Sequence, residues 1–325
     1  MKALVTGATG FVGSHVAEAL LARGDDVVVL ARSAGLAAPL EERGAAVVLG
    51  RLDDDAALER AAAGVDVVYH LAGVTAAARA EDFLRVNAEG ARRLAETALR
   101  VAPALSRFVL VSSQAALGPS EPGRRLAEAA PCHPVTAYGR SKLAGEEAVK
   151  GVAALPWTIV RPPAVYGPRD KEFLKLFAMA ASGFAAVFGG GLQEVSLVYA
   201  PDLADAIVRA GTAPGAVHRT YHAAHPEAVR TRDLALAVGR AVGRKPFIVP
   251  FPGRVATPIV GLIGAIAASR GKPSVLNLDK MKEFLAPAWL IDSEAAARDL
   301  GWRAAHGVEE GTRLTAQAYR AAGWL

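Results

Sequence analysis

The chain opens on an apolar segment, Ala3-Leu4-Val5-Thr6, which runs into Gly7-Ala8-Thr9-Gly10-Phe11-Val12-Gly13 and then into a helix-like stretch. Glycines at this spacing allow a tight turn and let backbone N–H groups approach a pyrophosphate, while the helix that follows points the positive end of its dipole at the same place. A glycine pattern alone says little. A strand before it and a helix after it are the context that gives it meaning. Thr6, Gly7, Thr9, Gly10, Phe11, Val12 and Gly13 are therefore candidate cofactor-binding residues.

The segments that follow keep a strand–helix rhythm. Phe11 to Arg23 reads as a helix closed by Gly24, where a left-handed C-terminal residue is expected. Val27-Val28-Val29-Leu30 is a β-branched run suited to a strand buried on both faces. Val47 to Leu49, Val67 to His70, Phe108 to Val111 and Trp157 to Val160 read as further strands. Helices are expected from an Asp54 cap to Gly64, from Phe83 to Arg100 and from Tyr138 to Lys150. Strands alternating with helices predict an α/β fold, a Rossmann-type doubly wound parallel sheet with right-handed crossovers. After Arg161 the rhythm breaks at Pro162, Pro163, Gly167 and Pro168. We expect residues 1–165 to form the dinucleotide-binding domain, with returning segments near 194–224 that include a strand-like Glu194 to Tyr199. Residues 166–325 are expected to form a smaller, mostly helical substrate lobe interleaved with the first.

The 325 residues, 52% of them hydrophobic, can bury a sizeable core. The net charge of +5 comes from Lys and Arg scattered among Asp and Glu, which argues against a nucleic-acid partner and suits an anionic cofactor. The single cysteine, Cys132, cannot form an internal disulfide, and no Cys/His spacing suggests a metal. This fits a reducing cytoplasm, the expected location. The N-terminus lacks the pattern of a signal peptide. The apolar stretch Val255 to Ala268 contains Pro258, Gly261 and Gly264 and is shorter than the roughly 20 residues that span a bilayer. We read it as a buried or pocket-lining helix, with a lipid-facing surface as the alternative, so peripheral membrane contact stays open.

Two further positions bear on chemistry. After the second strand the chain reads Leu30-Ala31-Arg32-Ser33. An acid there would bind a ribose 2′-hydroxyl, whereas an arginine accommodates a 2′-phosphate. Arg32 therefore points to NADP(H), with NAD(H) as the alternative and a solvated surface arginine as the plainer reading. Tyr138 and Lys142 stand four apart on a predicted helix and share a face. A nearby ammonium lowers a phenol's pKa, which would fit Tyr138 to exchange a proton with a substrate oxygen while hydride moves at the adjacent carbon. Ser112-Ser113 follows the strand Phe108 to Val111, at the sheet edge where a hydroxyl could hold that oxygen.

Together these residues resemble the extended short-chain dehydrogenase/reductase superfamily. The resemblance rests on Thr6-Gly7-x-x-Gly10-x-x-Gly13, His70-Leu71-Ala72-Gly73, Asn87, Ser112-Ser113, Tyr138-x-x-x-Lys142 and Arg161-Pro162-Pro163-Ala164-Val165-Tyr166-Gly167-Pro168, and it covers nearly the whole chain. It implies that Ser113 orients the substrate oxygen, Tyr138 is the acid/base and Lys142 binds the nicotinamide ribose and tunes Tyr138. It implies that Asn87 supports the site and that Leu71, Ala72, Gly73, Pro162 and Val165 pass beside the cofactor. It also implies a homodimer built on the helices Phe83 to Arg100 and Tyr138 to Lys150. Where the superfamily usually has Gly-Asp-Leu after strand three, with the Asp touching adenine, this chain has Gly50-Arg51-Leu52, so with Leu52 beside it Arg51 would instead approach a phosphate or stack on the ring.

Nucleotide-sugar epimerases of the superfamily tend to place Asn where this chain has Ala164 and Arg where it has Val195. Without those groups a sugar diphosphate lacks partners, and burying it unpaired is costly. The pattern is closer to the 3β-hydroxysteroid dehydrogenase and ketone-reductase branch. The expected function is NADP(H)-dependent interconversion of a ketone or aldehyde and an alcohol on a mostly apolar small molecule. The alternatives are an NAD-dependent nucleotide-sugar epimerase or dehydratase, which would show no net cofactor turnover, and a non-catalytic NADP-sensing module, which would have no need of Ser113, Tyr138 and Lys142.

Overall fold

The computed structural model describes residues 1–253, 257–258, 260 and 278–325. The stretch Val255 to Ala268 lies outside the described residues, apart from 257–258 and 260. Seven parallel strands form the main sheet: β1 (Lys2–Thr6), β2 (Asp26–Ala31), β3 (Ala46–Leu49), β4 (Val67–His70), β5 (Arg107–Val111), β6 (Trp157–Arg161) and, much later in the chain, Arg219–His222. Their spatial order places β1 inside the sheet next to the central β4, with β2 and β3 on one side of β1 and β4, β5, β6 and Arg219–His222 on the other. The chain reverses direction across the sheet between β1 and β4, so their carboxyl ends diverge and open a crevice.

Strand periodicity explains why both faces are covered. Ala3, Val5, Val27, Val29, Tyr69 and Val109 enter one core, with Val16, Ala17 and Leu20 of helix α1 (Phe11–Ala22). Their neighbours Leu4, Val28, Leu30, Val68, Phe108 and Leu110 enter the other. Successive side chains point to opposite faces, so a continuous apolar run in a strand needs a helix layer on each side. α3 (Asp55–Ala62), whose N-terminus is capped by Asp54 accepting from the Ala57 N–H, covers the second face together with α5 (Gly90–Val101). α2 (Ala34–Glu41), for which the sequence reading gave no element, follows β2.

Two expectations need correction. The helix expected from Phe83 to Arg100 is α4 (Ala80–Leu84) and α5 joined through a π-helical turn, Arg85–Glu89. The strand-like Glu194 to Tyr199 breaks at Ser196 into Glu194–Val195 and Leu197–Tyr199, which pair in two separate small sheets. Only Arg219–His222 from that part of the chain joins the main sheet, beside β6. A separate core buries Tyr166, Phe177, Leu197, Leu234, Val238 and Tyr319 together.

Candidate active site

The glycine turn sits in the crevice between β1 and β4. Gly7 has φ +75°, and a Cβ there would lie 2.7 Å from the Ala72 nitrogen. A Cβ at Gly13 would lie 2.1 Å from the Gly7 carbonyl oxygen. One glycine thus lets the turn pass against the segment after β4, and the other seats the first turn of α1 on the loop. Gly10 occupies the N-cap position without a side-chain cap, and no acidic residue stands in the first turn of α1. The first N–H groups of this helix therefore remain available to an anion. Thr9 and Gly10 are exposed, and Phe11 and Val12 are half-buried beside them. Thr6 is fully buried, and its hydroxyl is spent inside the protein: it hydrogen-bonds His70 Nδ1 at 2.7 Å and accepts from the Ala72 N–H at 3.3 Å. It shapes the crevice from below. His70 is pushed down to about 3 by burial and secondarily by Lys142, so it is a neutral ring.

Arg32 lies directly after β2, exposed and without a hydrogen bond or ion pair among the described residues. Arg51 is also exposed, but its Nε is 3.1 Å from Asp53 Oδ1. Leu52 turns inward against α5, where a Cβ at Gly90 would meet its Cδ1 at 3.0 Å. Pro162 accepts a backbone hydrogen bond from Gln114, and Val165 packs half-buried against the α1-side core.

The catalytic candidates meet at the carboxyl ends of β4 and β5. α6 (Gln114–Leu117) begins at Ser113, whose Oγ accepts from the Ala115 N–H at 3.1 Å. α7 (Ala137–Lys150) begins at Thr136, whose hydroxyl accepts from the Gly139 N–H at 3.1 Å. Ser113 and Tyr138 stand close enough for the serine hydroxyl to act on the phenol. Lys142 Nζ donates to the Val111 carbonyl at 2.7 Å and lies 4.0 Å from where a Cβ on Gly73 would stand. Asn87, 3% exposed, ties three elements together: it accepts from the Val74 N–H at 2.9 Å, donates to the Val74 carbonyl at 3.0 Å, and donates to Ser141 Oγ at 2.9 Å. Gly73 is needed beside it, because a Cβ there would stand 2.9 Å from Asn87 Oδ1.

The expected tuning of Tyr138 does not appear. Burial pushes its phenol up to about 12, the neighbouring Ser113 hydroxyl opposes the shift, and the Glu283 carboxylate adds to it. Lys142 is not among those influences, and its ammonium donates to the Val111 carbonyl. Burial brings Lys142 down to about 8, and Glu146 opposes that. Tyr138 is therefore a neutral phenol and Lys142 a mostly charged ammonium near neutral pH.

Sequence reasoning missed what stands behind these groups. Glu146, fully buried one turn beyond Lys142, is gripped by Arg161 through Nε (2.8 Å) and Nη2 (2.6 Å) and accepts from Ser112 Oγ at 2.6 Å. Extending the Tyr138/Lys142 spacing by four residues was the available signal. The helix Leu278–Leu285 packs against the start of α7. Its Asp279 accepts from the Ala137 N–H at 2.6 Å, its Glu283 accepts from the Thr136 hydroxyl at 2.8 Å, and Lys280 lies 5.7 Å over the Tyr138 ring. No local pattern announces this contact between residues so far apart in the chain. Among the described residues no group of acidic, His or Cys side chains is arranged to hold a metal.

A family model for the NAD dependent epimerase/dehydratase family matches residues 3–224. The chain belongs to that family. It is 34% identical over 322 residues to the ceramide reductase of Caulobacter vibrioides, covering 99% of this chain and 95% of that protein. It is 32% identical over 263 residues to the UDP-glucose 4-epimerase of Mycolicibacterium smegmatis, covering 75% of this chain and 83% of that one. The crystal structure of the Thermus thermophilus UDP-glucose 4-epimerase in complex with NAD superposes with a TM-score of 0.78 at 26% identity, covering 99% of this chain and all of the other. As a member of this family within the extended short-chain dehydrogenase/reductases, the chain is an NAD(P)-dependent oxidoreductase acting on CH–OH and C=O groups.

Proposed function

We propose that the protein is an NADP(H)-dependent carbonyl reductase whose substrate is largely apolar and lipid-like. The observation that carries this reading is the assembly of Ser113, Tyr138 and Lys142 at the crevice, with Tyr138 held as a phenol by burial. The glycine turn and the uncapped start of α1 fit a dinucleotide, whose reduced nicotinamide would supply the hydride. Arg32 would take a 2′-phosphate, since it is exposed after β2 with no acid to hold it. Lys142 and the Leu71–Gly73 segment would flank the ribose. On the substrate side, Ser113 Oγ and Tyr138 Oη converge on one oxygen. Ser113 donates a hydrogen bond to it, and Tyr138 transfers its proton as the carbonyl becomes an alcohol. Lys142, held at the Val111 carbonyl, keeps its charge toward the ribose, and water returns the proton to Tyr138.

The second lobe supports an apolar substrate. Val195 is buried in an apolar core, and Ala164 carries no polar group to offer a diphosphate. The likeness to a protein named ceramide reductase over almost the full length of both chains points the same way.

The test follows nicotinamide absorbance with NADPH and NADH on a panel of long-chain and sterol-like ketones. Wild type should oxidise NADPH in preference to NADH, and Arg32→Ala should narrow that preference. Tyr138→Phe should lower turnover by about 10²- to 10⁴-fold, the usual worth of a positioned acid. NAD that co-purifies and survives dialysis, with no turnover on any ketone, would replace this reading with an epimerase, which the relatives named UDP-glucose 4-epimerase make the competing case.

A further inference from the structure

The second lobe carries a two-stranded parallel ribbon, Phe184–Phe188 beside Phe247–Phe251, that belongs to no larger sheet. Partners in register share a face, and successive residues alternate between faces. On one face Ala185, Val187 and Ile248 pack against Leu176 and Ala235 of the helices Lys171–Ala181 and Thr231–Val242. The other face presents the pairs Phe184/Phe247, Ala186/Val249 and Phe188/Phe251, all apolar. None of these six is fully buried.

The two ends of this face differ. At the Phe188 end the rings are occupied: Phe188 stacks on Phe284 at 5.0 Å and meets Phe251 edge-on at 6.4 Å. At the other end Phe184 is 47% and Phe247 74% exposed, side by side on neighbouring turns joined by a Phe247 N–H to Gly183 carbonyl hydrogen bond of 2.8 Å. Isolated exposed phenylalanines are ordinary, but two in register at the tip of an apolar strip are not. Arg244 and Lys245 stand on the turn that leads into Phe247, both exposed and without an acidic partner among the described residues. Bare aromatic tips flanked by unpaired cations match the boundary between acyl chains and anionic headgroups.

We propose that the Phe184–Phe247 tip, with Arg244 and Lys245, docks on the surface of an anionic lipid bilayer. The apolar strip then leads inward through Phe188 to Phe284, on the helix whose Lys280 lies over the Tyr138 ring. A lipid-like substrate would enter along it, and to that extent the proposal rests on the substrate reading above. The docking itself does not.

The experiment is flotation of the full-length protein with phosphatidylcholine vesicles, with and without phosphatidylglycerol. Wild type should float with the anionic vesicles and much less with the neutral ones. Phe184→Ser/Phe247→Ser should abolish flotation, and Arg244→Gln/Lys245→Gln should weaken binding to anionic vesicles by roughly thirtyfold. Both double variants should retain wild-type turnover of a water-soluble ketone, which also shows that they fold. Equal flotation of wild type and the Phe184→Ser/Phe247→Ser variant, or none with either vesicle, would overturn the proposal. So would a wild type that self-associates in sedimentation and becomes monomeric in that variant, because the tip would then be an interface between copies. Flotation needs no turnover, so failure of the substrate reading alone would leave its outcome unchanged.

Discussion

Lys142 carries two opposing influences that can be separated by mutation. Burial lowers its pKa to about 8, while the carboxylate of Glu146 on the next turn holds it up. If the ammonium must be charged for turnover, kcat/KM of the free enzyme should fall as pH rises through about 8. Tyr138, up at about 12, adds no ionisation in that range. Glu146→Gln removes the opposing charge, so the limb should move to lower pH. Lys142→Arg should remove the limb from whatever activity survives. A limb unmoved in both variants would assign it to another group. The same shift also has a sign for stability: the unfolded lysine at the ordinary 10.5 binds its proton more tightly than the folded one, so this group makes the fold more stable as pH rises from about 8 to 10.5. Residue by residue, the spacing in the sequence singles out Tyr138, Lys142 and Ser113, and the structure gathers them at the carboxyl end of β5. The pKa order was not. Four-residue spacing puts two side chains on one face, but it cannot tell where a flexible lysine ends, and here the Val111 carbonyl claims it.

At the scale of elements, the helix bearing Tyr138 is set by close contact more than by apolar volume. Along α7, a Cβ at Gly139 would lie 2.3 Å from the Ala115 carbonyl oxygen, and one at Gly145 would lie 2.3 Å from the Asn87 carbonyl oxygen. Backbone thus approaches backbone at both points, and Ser141 between them takes the Asn87 hydrogen bond. We expect Gly145→Ala to destabilise by about 1–3 kcal/mol in urea unfolding, as overpacking does. It should also lower kcat by displacing the turn that carries Asn87. Gly35→Ala, in a helix where an added Cβ meets nothing within 4 Å, should be neutral or mildly stabilising. Equal effects of the two substitutions would show that helix propensity, and not the contact with Asn87, governs position 145. The strands and most helices were readable because burial on both faces forces apolar runs, and caps such as Asp54 mark starts. The π-turn at Arg85–Glu89 was not readable. Nothing in Arg85-Val86-Asn87-Ala88-Glu89 departs from an ordinary helix, and the widening accompanies bonds from Asn87 to Val74 and Ser141, which stand in other elements.

Across the whole molecule, one carboxylate stands out among the ties between the last segment of the chain and the sheet's helical layer. Asp202 lies in the helix Ala200–Thr212, which packs on α1 and the main sheet. It is 7% exposed and accepts from the Ala305 N–H at 3.0 Å, the His306 N–H at 2.9 Å and His306 Nδ1 at 2.7 Å. Its own backbone carbonyl accepts from the Trp302 indole at 3.0 Å. These bonds begin the approach to the helix Val308–Ala321, where Tyr319 donates to the Asp170 carbonyl at 2.6 Å and Gly311 lies against the Tyr166 ring. The sequence gives no hint of this bond set, because the partners of Asp202 lie about a hundred residues on. Asp202→Ala leaves two backbone donors without an acceptor, at about 1–3 kcal/mol for each group that stays buried and unpaired. Asp202→Asn keeps one acceptor and should cost less. If Asp202 is the joint, hydrogen exchange in the alanine variant should quicken first at Ala305 and His306 and then along Val308–Ala321, while β1, β2 and β4 keep their protection. Loss of protection spread evenly over the main sheet would mean that Asp202 supports the fold as a whole and that the C-terminal helix has no separate attachment to lose.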